Sequence, residues 1–125
     1  MGVDPLAKPL IDLKYPVVIK EGDCFQLPFG DGEFDLVFTC GVLMHVAQGD
    51  LPRAAQELSR VSSKYVLIIE YYSPEEVAIP YHGHSDLLFK RDYQSFLPNL
   101  VQKGFLSRAE GFDECTTFLF QKTSV

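Results

Sequence analysis

Apolar positions fall in short runs along this chain, each bounded by turn-forming residues. Val17-Val18-Ile19 follows Pro16 and is β-branched, the pattern of a short buried strand. Phe34-Asp35-Leu36-Val37-Phe38-Thr39-Cys40 reads as a second strand, entered from the turn Gly30-Asp31-Gly32. Residues 65–71 form a third, whose unbroken apolar character predicts burial on both faces, as in a parallel sheet flanked by helices. Residues 115–121 make a fourth strand, and residues 105–109 are a candidate fifth.

A helical period separates these runs. Leu51, Ala54, Ala55, Leu58 and Val61 recur on one face, with Arg53, Glu57 and Arg60 decorating the other. Asp50 is placed to cap that helix, and Pro52 falls in its first turn, where a missing N–H costs little. Phe96, Leu97, Leu100 and Val101 cluster at helical spacing and predict a helix within residues 92–103. Gly104 would stop it, and Pro98 either marks its start or breaks it. Residues 6–13 read as a short helix interrupted by Pro9. Alternating strand and helix predicts an open α/β sheet. Only residues 110–114 separate the last two strands, so an antiparallel hairpin is expected at one edge.

Composition narrows the class. The 125 residues suit one domain over 1–125, and 46% hydrophobic with 22% charged residues suits a globular chain, excluding a disordered tail or a collagen-like fibre. Eleven basic against seventeen acidic residues give a net charge of −6 with no Lys/Arg cluster, which argues against a nucleic-acid partner. No apolar run approaches the roughly 18 residues of a membrane span, and no secretion signal is visible. Cys24, Cys40 and Cys115 lack metal-ligand spacing, so reduced thiols in a cytoplasmic protein are expected, and no metal site.

One segment is more specific. Gly22-Asp23-Cys24-Phe25-Gln26-Leu27-Pro28-Phe29, followed by the Phe34-Asp35-Leu36-Val37 strand and then Cys40-Gly41-Val42-Leu43-Met44-His45-Val46, resembles the class I S-adenosylmethionine-dependent methyltransferases of the type 11 kind. Gly2-Val3-Asp4 resembles the end of that family's second strand. The resemblance implies a Rossmann-like methyltransferase sheet, mostly parallel, with a C-terminal antiparallel hairpin. A narrower likeness lies downstream. Glu70-Tyr71-Tyr72-Ser73-Pro74, Ile79-Pro80-Tyr81-His82-Gly83-His84 and Leu88-Phe89-Lys90-Arg91-Asp92-Tyr93 are similar to methylases associated with pseudaminic acid biosynthesis, which implies an acceptor among nonulosonic sugar intermediates.

The family's cofactor contacts carry over onto Asp4 for the ribose hydroxyls, Asp23 for the adenine amine and the Cys24 N–H for a ring nitrogen. Thr39, Cys40 and Gly41 would lie beneath the methionine moiety, since ligands of such sheets sit beyond the carboxyl ends of the strands. Methyl transfer needs alignment and, for an oxygen or ammonium acceptor, a base. Glu70, Tyr71, Tyr81, His82 and Arg91 are the candidates, on or beside a long irregular segment over roughly residues 73–89 that would cover the substrate. Blander readings stand beside these. Asp23 caps a turn, Cys40 is a buried strand-end residue, His45 packs at a helix start, and Asp31, Glu33 and Asp35 form a solvated face. His82 and His84 belong to a polar loop in preference to a metal site, and Arg91-Asp92 opens a helix or touches substrate.

The family's first strand and glycine-rich turn have no match here, because the one Gly-x-Gly, Gly30-Asp31-Gly32, precedes the family's fourth strand. The sequence therefore reads as a domain incomplete in its N-terminal half, starting at the family's second strand. Losing a central strand opens the sheet. Either the second strand pairs with the fourth, or the N-terminal pieces detach and leave an edge, or another chain fills that edge. A homodimer through the edge is the preferred resolution. Two functions follow: methyl transfer to a small or sugar-like acceptor, or a non-catalytic remnant that serves as an interaction module.

Overall fold

The structure is a computed structural model and describes residues 1–5, 18–97, 99–111 and 114–123. Strands β1 (Gly2–Asp4) and β2 (Ile19–Glu21) pair in parallel, in the register Gly2↔Ile19, Val3↔Lys20, Asp4↔Glu21. They form a two-stranded sheet of their own. The strand expected at residues 17–19 is thus displaced towards Glu21, while Val17 and the expected helix over 6–13 lie outside the described residues.

The remaining elements are β3 (Phe34–Cys40), helix α1 (Leu51–Val61), β4 (Ser62–Glu70), the two-residue strands β5 (Val77–Ala78) and β6 (Phe89–Lys90), β7 (Leu100–Leu106) and β8 (Thr116–Lys122). Four of these strands make one sheet in the order β3-β4-β8-β7. β3 and β4 are parallel, and β8 is antiparallel to both of its neighbours. It follows that β3, β4 and β7 share one direction and only β8 is reversed, the mostly parallel sheet with a C-terminal antiparallel hairpin that the motifs implied.

Helix α1 forms as its apolar spacing requires. Leu51, Ala54, Ala55, Leu58 and Val61 are buried, and the first four pack in one core with Val66, Ile68, Phe118 and Phe120. Pro52 lies in the first turn, but the Asp50 side chain makes no capping bond. At the other end the chain passes directly into β4. The Ser62 hydroxyl donates to the Ser59 carbonyl at 3.0 Å, and Lys122 Nζ donates to the carbonyls of Ser59 and Ser62 at 2.8 and 2.9 Å. A cation on the last carbonyls of a helix both satisfies them and opposes the helix dipole.

The helix expected within residues 92–103 does not form. A short 3-10 turn, Gln94–Phe96, is followed by β7, which occupies the free side of β8 from Leu100↔Lys122 to Leu106↔Thr117. Pro98 cannot donate an interior helical bond, and Val101 suits a pleated surface, so strand pairing prevails over the apolar spacing. Gly104 is not a helix stop. It lies at a register shift within β7, and a Cβ there would stand 3.3 Å from the Leu119 Cβ. The candidate fifth strand over 105–109 accordingly begins earlier and ends at Leu106.

Burial of β4 on both faces is also not what forms among the described residues. Cross-strand registers place Leu36, Phe38, Tyr65, Leu67, Leu119, Val101 and Leu106 on the face opposite α1. Phe38 is 61% exposed, Leu36 49% and Leu106 46%. No described helix covers this face, and the outer edge of β3 has no described strand beside it.

Candidate functional site

Both turns that flank β3 are held by one Glu and one Arg, the carboxylate accepting from backbone N–H and the guanidinium donating to backbone carbonyls. Before β3, the Leu27 N–H donates to Glu57 Oε1 at 2.8 Å, and Arg60 donates to the carbonyls of Leu27 and Phe29 at 3.1 and 2.9 Å. Arg60 also bonds Glu57 and, at 2.8 Å, Asp31. The Arg60 hydrogen bond draws the Glu57 pKa below the usual glutamate range, against the opposing effect of burial. Far from decorating an outer helix face, Glu57 and Arg60 anchor the Leu27-Pro28-Phe29 turn. Their i,i+3 spacing on α1 was the available signal.

After β3, Glu70 is fully buried and accepts from the N–H groups of Val42 and Met44, each at 3.1 Å. Arg91, 1% exposed, donates to the carbonyls of Leu43 and Val46 at 3.3 and 2.6 Å and pairs with Glu76 at 3.0 Å. Burial raises the Glu70 pKa, and the Val42 and Met44 N–H groups partly offset this. Two expected catalytic side chains therefore stand behind the turn at 41–46 and hold its shape, Glu70 through both carboxylate oxygens and Arg91 through Nη1. Arg91 opens no helix either. It is Asp92 Oδ1 that accepts from the Gln94 N–H, at 3.1 Å, to start the short 3-10 turn.

The turn they hold begins at Gly41, whose φ of +66° favours glycine. Its N–H continues the ladder to the Ile69 carbonyl at 3.0 Å. Cys40 is exposed, not buried as its strand-end position suggested, because it lies across from Ile69 on the uncovered face of the edge strand. Thr39 points the other way and is buried.

Asp4 ends β1 beside Glu21 of β2, so two carboxylates stand at adjacent strand ends. Asp23 Oδ1 accepts from the N–H groups of Phe25 and Gln26 at 2.9 and 3.1 Å, the local turn its bland reading anticipated. Cys24 is half-buried, and burial raises its thiol pKa.

Residues 77–90, which overlap the segment expected to be irregular over roughly 73–89, form a hairpin. Val77↔Lys90 and Ala78↔Phe89 pair, the Ile79 N–H donates to the Leu88 carbonyl at 2.8 Å, and Tyr81 and His84 exchange both backbone bonds. His82 and Gly83 make the tip with φ of +48° and +81°, the left-handed pair that a tight hairpin turn requires. The hairpin lies against the turn after β3: His45 Nδ1 is 2.6 Å from the Leu87 carbonyl, and the rings of His45 and Tyr81 are 5.2 Å apart. A carbonyl can only accept, so Nδ1 donates this bond and Nε2 is left facing away from it. Tyr81 and His82 stack edge-on at 4.3 Å. His45, Tyr81 and His82 thus converge, while Tyr71 packs with Met44, Leu88 and Cys115 beneath the hairpin.

The β4, β7 and β8 registers place the ends of all four strands in one row: Cys40↔Ile69, Glu70↔Thr116 and Leu106↔Thr117. The turn after β3, the hairpin and the residues following β4 and β7 all belong to this carboxyl end of the sheet, where open α/β sheets bind ligands.

Comparison with curated protein sequences gives no match. Solved structures are similar in fold. A 1,6-didemethyltoxoflavin-N1-methyltransferase from Burkholderia thailandensis, with 1,6-didemethyltoxoflavin and S-adenosylhomocysteine bound, superposes with a TM-score of 0.72 at 14% identity, covering 98% of this chain and 60% of that one. A possible histamine N-methyltransferase from Thermotoga maritima gives 0.68 at 17% identity, with 98% and 73% covered. An S-adenosylmethionine-dependent methyltransferase from Methanosarcina mazei gives 0.60 at 15% identity, with 86% and 68% covered. The chain therefore spans between 60% and 73% of the length of these three. The sequence profile of the methyltransferase domain matches residues 2–68, which run from β1 through most of β4. The fold is Rossmann-like, and the chain belongs to the methyltransferase domain family.

Proposed function

We propose that the chain works in S-adenosylmethionine-dependent methyl transfer to a small or sugar-like acceptor. The observation that carries this is the family match over residues 2–68 laid on the structure: its motif residues fall at strand ends and in the two clamped turns around β3. The residues present suit the cofactor. Asp4 beside Glu21 offers carboxylates for ribose hydroxyls, exposed Asp23 and the Cys24 N–H suit an adenine edge, and Thr39, Cys40 and Gly41 line the end of β3. A Cβ at Gly41 would meet nothing nearer than Met44 Cε at 3.9 Å, leaving room for close approach. When bound, S-adenosylmethionine supplies an electrophilic methyl group on a sulfonium sulfur.

The chain's own residues do the rest. Glu70 and Arg91 fix the turn on which Gly41 sits, so alignment is set before substrate arrives. Tyr81 and His82 cover the acceptor from the hairpin tip, with Tyr71 below. His82, or Nε2 of His45, takes the proton that an acceptor hydroxyl or ammonium must lose. The narrower likeness to pseudaminic acid-associated methylases supports a nonulosonic sugar intermediate as acceptor. The unpaired β3 edge and the exposed apolar face beside it support a homodimer through that edge.

Calorimetric titration with S-adenosylhomocysteine tests the function. A Kd tighter than about 100 μM, roughly −5.5 kcal/mol, is expected, weakened by Asp23→Ala. Absence of heat at millimolar ligand overturns it. Light scattering over a concentration series tests the dimer, and a concentration-independent monomer mass rejects it.

A further inference from the structure

A pocket of about 460 Å³ opens at the carboxyl end of the sheet, between the start of the hairpin and the β7–β8 turn. Its volume is in the range of small-molecule sites. Its walls are chemically uneven. Tyr72 and Phe105 each stack edge-on against Phe118, both with centroids 5.4 Å apart, so Phe118 steadies two rings that remain 38% and 53% exposed. Lys90 lines the same space and, among the described residues, pairs with no carboxylate. Among the described residues the one lining carboxylate, Glu114, is engaged by Arg108 at 3.4 Å. Thr116 adds a hydroxyl. In a chain of net charge −6, the described lining residues carry a local excess of positive charge over an aromatic floor.

We propose that this pocket binds a small ring-bearing carboxylate, its ring against Tyr72 and Phe105 and its carboxylate on Lys90. A flat ring and a pyranose can both rest an apolar face on aromatic side chains, and a carboxylate on a lysine gains a charge-assisted hydrogen bond. The β4–β8 pairing Glu70↔Thr116 and the β3–β4 pairing Cys40↔Ile69 put the pocket at the same sheet end as Gly41. Tyr71 lines it as well, so the pocket adjoins the acceptor space proposed above beneath Tyr81 and His82, and as an extension of that space it rests on that reading.

The test is an amide-resolved NMR titration of the full chain with benzoate and with galacturonate, against neutral benzamide and galactose. The proposal expects saturable shifts at Tyr72, Lys90 and Phe105 for an acid and not for its neutral counterpart. It expects about tenfold or greater weakening in Lys90→Met and retention in Lys90→Arg, with the spectrum of each variant reporting its fold. A response to benzoate alone selects an aromatic acid, and to galacturonate alone a sugar acid. Equal response to neutral rings, shifts elsewhere, or no response to either acid overturns the pocket. S-adenosylhomocysteine is titrated separately. Shifts at Gly41 without any acid response remove only the pocket, and an acid response without a cofactor response removes only the methyltransferase reading.

Discussion

Glu70 has no solvent exposure, both of its oxygens accept backbone N–H groups, and burial raises its pKa. Between the ordinary glutamate value, about 4.3, and the raised folded value, the native state keeps a proton that the unfolded chain has lost. The stability linked to this group is therefore full below the ordinary value and declines as pH rises through the folded one. Glu70→Gln is expected to remove that decline, seen as a pH-dependent difference in urea midpoint from wild type; a difference that stays constant with pH contradicts it. Glu70→Ala leaves two N–H groups without acceptors and is expected to cost about 2–4 kcal/mol. The Glu57 pKa is drawn down, so its contribution has the opposite sign, present above the ordinary value and lost as pH falls through the folded one. The sequence singled out Glu70 and Arg91 as candidate catalytic side chains, and their hold on the turn at 41–46 was not legible there. Residue type showed that chemistry was present. It could not show which way the side chains turn, because the backbone groups they bond in the turn at 41–46 lie 26 to 48 residues away.

At the scale of elements, β3 is a strand held at both ends. Helix α1 grips the turn before it, and β4 together with Arg91 grips the turn after it. The two grips are independent, so releasing one leaves the other intact. Arg60→Met is expected to raise amide hydrogen exchange at Leu27 and Gly32 without altering exchange in β8, and equal acceleration in both would show global loss of stability instead. The elements themselves were largely legible. α1 and β3 followed from period and turn residues, and β8 from its apolar run. β7 was misread because Phe96, Leu97, Leu100 and Val101 satisfy a helical spacing that the free edge of β8 outweighs. The hairpin at 77–90 was missed because its strands are two residues long and its turn needs a left-handed His82, an uncommon conformation for that residue.

At the scale of the molecule, the chief feature is a sheet with one covered face and one that no described element covers. The covered face carries the core and the open face carries Leu36, Phe38 and Leu106. Such a surface with an unpaired edge favours association. Phe38→Glu puts a charge in the middle of that face, and sedimentation is expected to show at least about tenfold weaker self-association than wild type, or roughly 1.4 kcal/mol. Unchanged association places the contact elsewhere. The open face also changes how unfolding of this chain is to be monitored. Dyes such as ANS brighten on exposed apolar surface, and a rise in their emission ordinarily signals lost packing. Here the native sheet already offers such a surface wherever a partner does not cover it. Emission is expected to be high before urea is added and to fall as the strands separate. The denaturant slope is expected to be shallow for 125 residues, since part of the apolar area is already in water.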